Sequence, residues 1–198
     1  MPYSSRPVVV VSKCLGFAAC RYDGQIVPSP AVNRLKSRVR FIPVCPELEI
    51  GLGVPRQHIR IVETRGRRRL VQPATGRDCT LAMNRFSSEF LSSPGGVDGF
   101  ILKSRSPSCG LKDVKVYRDD GPLSKPVSGR GTGFFASAVL ERFPGLAVVD
   151  DIGLEDPAVR KVFLVRLFAH SAWRRSERTK NVVRSKISSP GTGQGRAG

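Results

Sequence analysis

The chain alternates short apolar runs with stretches of helical spacing. Residues 7–12 are a continuous β-branched run, the mark of a strand buried on both faces. Residues 29–38 suggest a short helix, and 39–44 a second strand closed by Pro46. Residues 59–63 and 69–72 flank the basic, Gly-centred turn TRGRRR and predict a hairpin. Over 78–91, Leu81, Ala82, Phe86, Phe90 and Leu91 recur at helical spacing, with Asp78 as N-cap. Residues 97–102 and 114–117 read as strands, 132–142 as a helix after a Gly-rich turn, and 146–149 as a return to the sheet. This succession predicts an α/β fold: an open Rossmann-like sheet with crossover helices.

Beyond Asp150 the pattern changes. Glu155-Asp-Pro157 resembles a helix start, with Pro just inside and acids at the positive end of the dipole. Val159, Phe163, Leu164, Leu167 and Phe168 then form an apolar face with no evident downstream partner. The expected organisation is a domain over 1–149, the truncated start of a second, helical domain over 150–170, and a flexible, Gly/Ser-rich basic tail over 171–198.

Charge adds a partner class. Lys and Arg number 33 against 16 acids, a net charge of +17. Residues 160–198 alone hold ten of those cations against Glu177. Such an excess suits a polyanion, and also suits a merely solvated tail. TRGRRR places further cations at a hairpin tip, where they supply phosphate affinity without sequence readout. No apolar run approaches the length of a membrane helix, and the N-terminus lacks a secretory pattern. The expected compartment is cytoplasmic, with reduced thiols and no membrane partner.

Five cysteines then focus the chemistry. Cys14, Cys45 and Cys109 each follow a predicted buried strand. In an open α/β sheet, sites form outside the carboxyl ends of strands, so three thiols delivered there converge. Soft thiolates suit an iron–sulfur cluster or zinc; three unrelated buried cysteines are the plain alternative. With no CxxC pair and only His58 and His170 to help, a four-ligand zinc module fits poorly. Cys20 remains open as a ligand, redox partner or bystander, and Cys79, at a helix start, reads as structural. Gly129-Arg-Gly-Thr-Gly133 precedes a helix as phosphate cradles do, but matches no full nucleotide fingerprint and reads as a packing turn.

SKCLGFAACRYDG, FIPVCPELEIGLGVPR and SRSPSCG, in that order, together with SGRGTGFFASAVLERFPGLAV, resemble the thiouracil desulfurase family. The segments EIGLGVPRQHIRIV and DDIGLEDPAVRKVFLVRLFAH are similar to its two-domain branch, the tRNA 2-thiouridine desulfidases. The resemblance implies a 4Fe–4S cluster held by Cys14, Cys45 and Cys109, its open iron binding the sulfur of a thiocarbonyl. It implies that Glu47, with Ser106 or Ser108, moves protons and positions substrate. In that reading Ser106 joins Glu47 as catalytic, while Ser108 and Asp23 bind substrate.

Apart from the resemblance, Glu47 is an acid that caps a helix or pairs with Arg56, and residues 21–24 are an ordinary turn. Tyr22 is placed to stack on a flipped base, whereas Phe17 reads as core. The implied reaction is non-redox removal of sulfur from a thiolated pyrimidine, 2-thiouridine in tRNA or free 2-thiouracil. Neither a nicotinamide nor a flavin is expected. The rival readings are an inactive RNA-binding module and a thiol redox protein using Cys14 and Cys20.

Overall fold

Four consecutive valines open β1 (Val8–Ser12), and every residue of that strand is buried. In the computed structural model, which describes residues 6–92, 96–121 and 123–187, β1 lies inside a four-stranded sheet. Its neighbours are β2 (Arg40–Val44) and β6 (Gly99–Leu102), and β9 (Ala147–Asp150) completes the order β2-β1-β6-β9. All pairings are parallel, so both faces need cover, and the inner strands β1 and β6 are buried along their whole length. The Rossmann-like expectation is met here.

The helices supply that cover. α1 (Pro30–Leu35) begins where Ser29 Oγ accepts the Val32 N–H, with Pro30 in the first turn. α2 (Pro46–Glu49) follows β2 directly. On one sheet face Val10, Phe100 and Leu102 pack with Met83 of α3 (Thr80–Ser92) and with Phe135 and Val139 of α4 (Phe134–Arg142). Phe135 is fully buried, and truncating such a ring costs about 3–5 kcal/mol. Cys79 lies in this core, in line with a structural role.

A second, five-stranded sheet stands beside the first. Its order is β5-β4-β3-β7-β8, from β3 (Arg60–Thr64), β4 (Arg67–Gln72), β5 (Arg77–Asp78), β7 (Val114–Tyr117) and β8 (Pro126–Gly131). The β3–β4 hairpin turns on Arg65 and Gly66, both at positive φ, the geometry of a tight two-residue turn. β8 is a departure from the sequence reading: part of the Gly-rich stretch read as a turn pairs antiparallel with β7 as an edge strand.

The C-terminal segment also departs from expectation. After α5 (Asp151–Glu155), α6 runs unbroken over Pro157–Ile187, through residues read as a tail from 171 onward. Its apolar face has a partner after all: Phe163 and Leu167 are buried against Val9, Val11, Ile101 and Ala147 on the other face of the parallel sheet. Residues 188–198 lie outside the described residues. Among those described, no helix is long and apolar enough to cross a membrane.

Candidate active site

Three loops leave the carboxyl ends of β1, β2 and β6 and meet over a cavity of about 590 Å³. Cys14 lies just past β1, Cys45 is the extended residue that starts α2, and Cys109 sits on the loop after β6. All three line the cavity, together with Cys20 and Glu47. The three thiols thus stand in one crevice outside the carboxyl ends of the strands.

The Cys109 loop is held by its serines and a glycine. Ser106 Oγ accepts the N–H groups of Ser108 (3.2 Å) and Cys109 (3.1 Å). Phe134 and Ala136 donate backbone N–H groups to the carbonyls of Pro107 and Ser108 at the start of α4. Gly133 permits this approach: a Cβ there would stand 2.5 Å from the Ser108 carbonyl carbon and oxygen. Beneath the loop, Ser12 Oγ accepts the Lys103 N–H at 2.9 Å and bonds the Cys109 thiol.

Glu47 is the acid at the cavity wall. Arg56 donates to its Oε2 from Nε (2.9 Å) and Nη2 (2.7 Å), and Ser108 Oγ donates to Oε1 at 3.0 Å. The Arg56 Nη1 also donates to the Cys20 carbonyl at 3.1 Å and the Gly53 carbonyl at 2.8 Å, so one guanidinium ties three cavity segments together. Both the pairing with Arg56 and the place in the cavity thus hold for Glu47.

Ser106 lines the cavity while bonded to its own loop, whereas buried Ser108 reaches Glu47. Asp23 turns away: its Oδ1 accepts the Gln25 N–H and its carboxylate pairs with Arg21 at 3.3 Å. Its neighbour Tyr22 lines the cavity, about half exposed. Phe17 packs edge-on against Phe41, as a core residue does.

Burial governs the thiols. It pushes Cys14 and Cys20 up to about 12, aided by the neighbouring Cys45 in each case. Cys109, wholly enclosed, is raised by the same cause, against the opposing bond from Ser12. The Cys45 thiol donates to the Cys20 carbonyl at 3.8 Å.

The expected 4Fe–4S cluster on Cys14, Cys45 and Cys109 is corrected by this geometry. Among the described residues, no group of three or more His, Cys, Asp or Glu side chains is arranged to hold a metal ion. The cysteines share a cavity wall without closing into a ligand set, and Cys45 and Cys109 are engaged with local partners. The donor set as it stands does not fit the cluster.

Residues 9–151 match the 2-thiouracil desulfurase family. The chain belongs to that family. It is 29% identical over 156 residues to a protein of Bacillus subtilis (strain 168) named uncharacterized protein YbbK, covering 75% of this chain and 99% of that one. It is also similar to the solved structure of a 4Fe-4S-dependent thiouracil desulfidase, TudS. There the TM-score is 0.58 and the identity 28%, over 79% of this chain and 99% of that one.

Lys103 and Lys115 line the cavity without having been singled out from the sequence. Lys103 lines the wall and bonds Asp151 Oδ2 and Ser104 Oγ, each at 2.8 Å, while Asp151 Oδ1 accepts the Ser104 N–H at 2.7 Å. Lys115 reaches the cavity from β7. A lysine directly after buried strand β6 was a usable signal for Lys103; Lys115 carried none beyond its polar alternation.

Proposed function

We propose that the chain removes sulfur from a thiolated pyrimidine, with 2-thiouridine in tRNA as the favoured substrate and free 2-thiouracil as the close variant. The observation that carries this is Glu47: a carboxylate fixed by Arg56 and Ser108 on the wall of a sulfur-lined cavity, in a chain of this family.

The net reaction is hydrolytic. Water adds its oxygen to the thiocarbonyl carbon, the C–S bond breaks, and C=S plus H₂O becomes C=O plus H₂S. No electrons are gained or lost. Glu47 accepts the proton of the attacking water through the carboxylate edge not saturated by Arg56. Ser108 holds that edge in place, and Lys103 adds positive charge near the departing sulfur. The thiols of Cys14 and Cys20, kept protonated by burial, present polarizable S–H groups to a soft thiocarbonyl sulfur.

The volume of about 590 Å³ lies in the usual range for small-ligand sites and accommodates more than a bare base. A net charge of +17 favours a substrate carrying phosphates, hence the RNA form. The test is loss of the thiocarbonyl absorbance from thiolated tRNA and from 2-thiouracil, followed side by side with sulfide release. Turnover of neither substrate overturns the reading.

A further inference from the structure

A second cleft, of about 520 Å³, opens on the five-stranded sheet away from the cysteines. Three strands each bring one guanidinium to it: Arg68 from β4, Arg118 from just past β7, and Arg130 from β8. Glu63 is the acid in its lining, 3.9 Å from Arg68. Arg68 is further engaged, lying over the Phe134 ring and donating to the Thr132 carbonyl. The side chains of Arg118 and Arg130 are exposed and have no carboxylate partner among the described residues. Gly129 has open space where a side chain would stand, whereas Gly131 packs against Val116.

We propose that this cleft is an anchorage for the sugar–phosphate backbone of RNA, engaged while a base of the same polynucleotide occupies the cysteine cavity. The proposal rests on the RNA form of the function above and extends it to a surface. Guanidinium groups present flat, two-pronged donors that match phosphate oxygens, and strands hold them at fixed spacing. A cleft with two uncommitted arginines is left positive after Glu63 offsets Arg68. β7 contributes to both sites from alternate faces: Lys115 lines the cavity, and Arg118, three residues on, lines the cleft with Val116.

The test uses the full chain and a short, sulfur-free oligouridylate, so that binding is read independently of turnover. Arg118→Ala/Arg130→Ala is expected to weaken binding about tenfold and to flatten the log–log salt slope by about 1.4, two phosphate contacts at about 0.7 each. A matched control that also removes two exposed charges, Arg6→Ala/Lys161→Ala, is expected to leave both unchanged. Equal losses in the two variants, or none in the first, overturn the proposal. So does polyglutamate competing as well as the oligouridylate, which marks an acidic-protein site instead. Desulfuration of free 2-thiouracil is expected to be the same in all three proteins. If oligouridylate binds as expected but no thiolated substrate is turned over, the proposed function fails and the anchorage stands.

Discussion

Arg174 of α6 grips Asp98 at the start of β6 with two hydrogen bonds, Nε to Oδ1 at 2.8 Å and Nη2 to Oδ2 at 2.7 Å, across 76 residues of chain. Asp98 is completely buried and also accepts the Val8 N–H at 2.8 Å, while His170 Nδ1 stands 3.2 Å from Oδ1. The carboxylate therefore joins β1, β6 and α6 at one point. The C-terminal helix is fastened to the parallel sheet and is more than a neighbour in sequence.

Arg174→Ala leaves that buried carboxylate without its main counter-charge. The expected loss is about 3 kcal/mol, or roughly 10 °C in Tm, read by thermal and urea unfolding. A change within 1 °C would show that the helix is dispensable to the sheet.

The same cluster sets an acid limit. Burial alone raises the Asp98 carboxyl, but the bonds from Arg174 and the Val8 N–H, the Arg174 charge and the His170 bond together hold it below the usual carboxylate range. Because the folded value is depressed, the contribution is present above the unfolded value of about 3.9 and is lost as pH falls through the folded one. Urea midpoints measured between about pH 6 and pH 2 are expected to drop more steeply for the wild type than for Asp98→Asn. Parallel curves would remove Asp98 from the acid response.

Gly133 tests how tightly the Cys109 loop is built. In Gly133→Ala the new methyl must displace the Ser108 carbonyl, since both its carbon and oxygen lie in the way. Overpacking of this kind costs about 1–3 kcal/mol. Because Ser108 orients Glu47, kcat is expected to fall at least tenfold while far-UV circular dichroism stays native. Full activity would mean that the loop yields without moving Ser108.

Arg56 is expected to matter to both fold and reaction. Arg56→Ala frees the Cys20 and Gly53 carbonyls and leaves Glu47 with Ser108 alone, at a cost of about 3 kcal/mol. Arg56→Lys is expected to recover part of the stability but little turnover, since an ammonium cannot set two donors on Glu47 Oε2 and still reach the Cys20 and Gly53 carbonyls. Equal activity in the lysine variant would contradict the positioning role.

What the sequence disclosed follows from which signals are local. β1 and the β3–β4 hairpin were legible because burial on both faces and a Gly-centred turn leave marks within a few residues. β8 was not, since Pro126–Gly131 is polar, glycine-rich and exposed on an edge. The second half of α6 was misread because its tether is an ion pair with Asp98, whereas helical periodicity reports only apolar stripes. In the site, strand ends revealed that Cys14, Cys45 and Cys109 share a crevice, yet they say nothing of the distances between sulfurs, and that gap misled the cluster expectation. The bond from Ser108 to Glu47 spans 61 residues and has no local trace.

In the proposed reaction Glu47 takes the proton of the water that displaces sulfur. The most direct test is sulfide release from a thiolated pyrimidine by wild type and by Glu47→Gln, both purified without oxygen to keep the thiols reduced. Stoichiometric sulfide and oxo-pyrimidine are expected from the wild type. Release at least a hundredfold slower is expected from the variant, a loss of the size expected for a general base, with substrate binding retained. Equal rates from the two proteins, or no sulfide from the wild type, would contradict the proposed reaction.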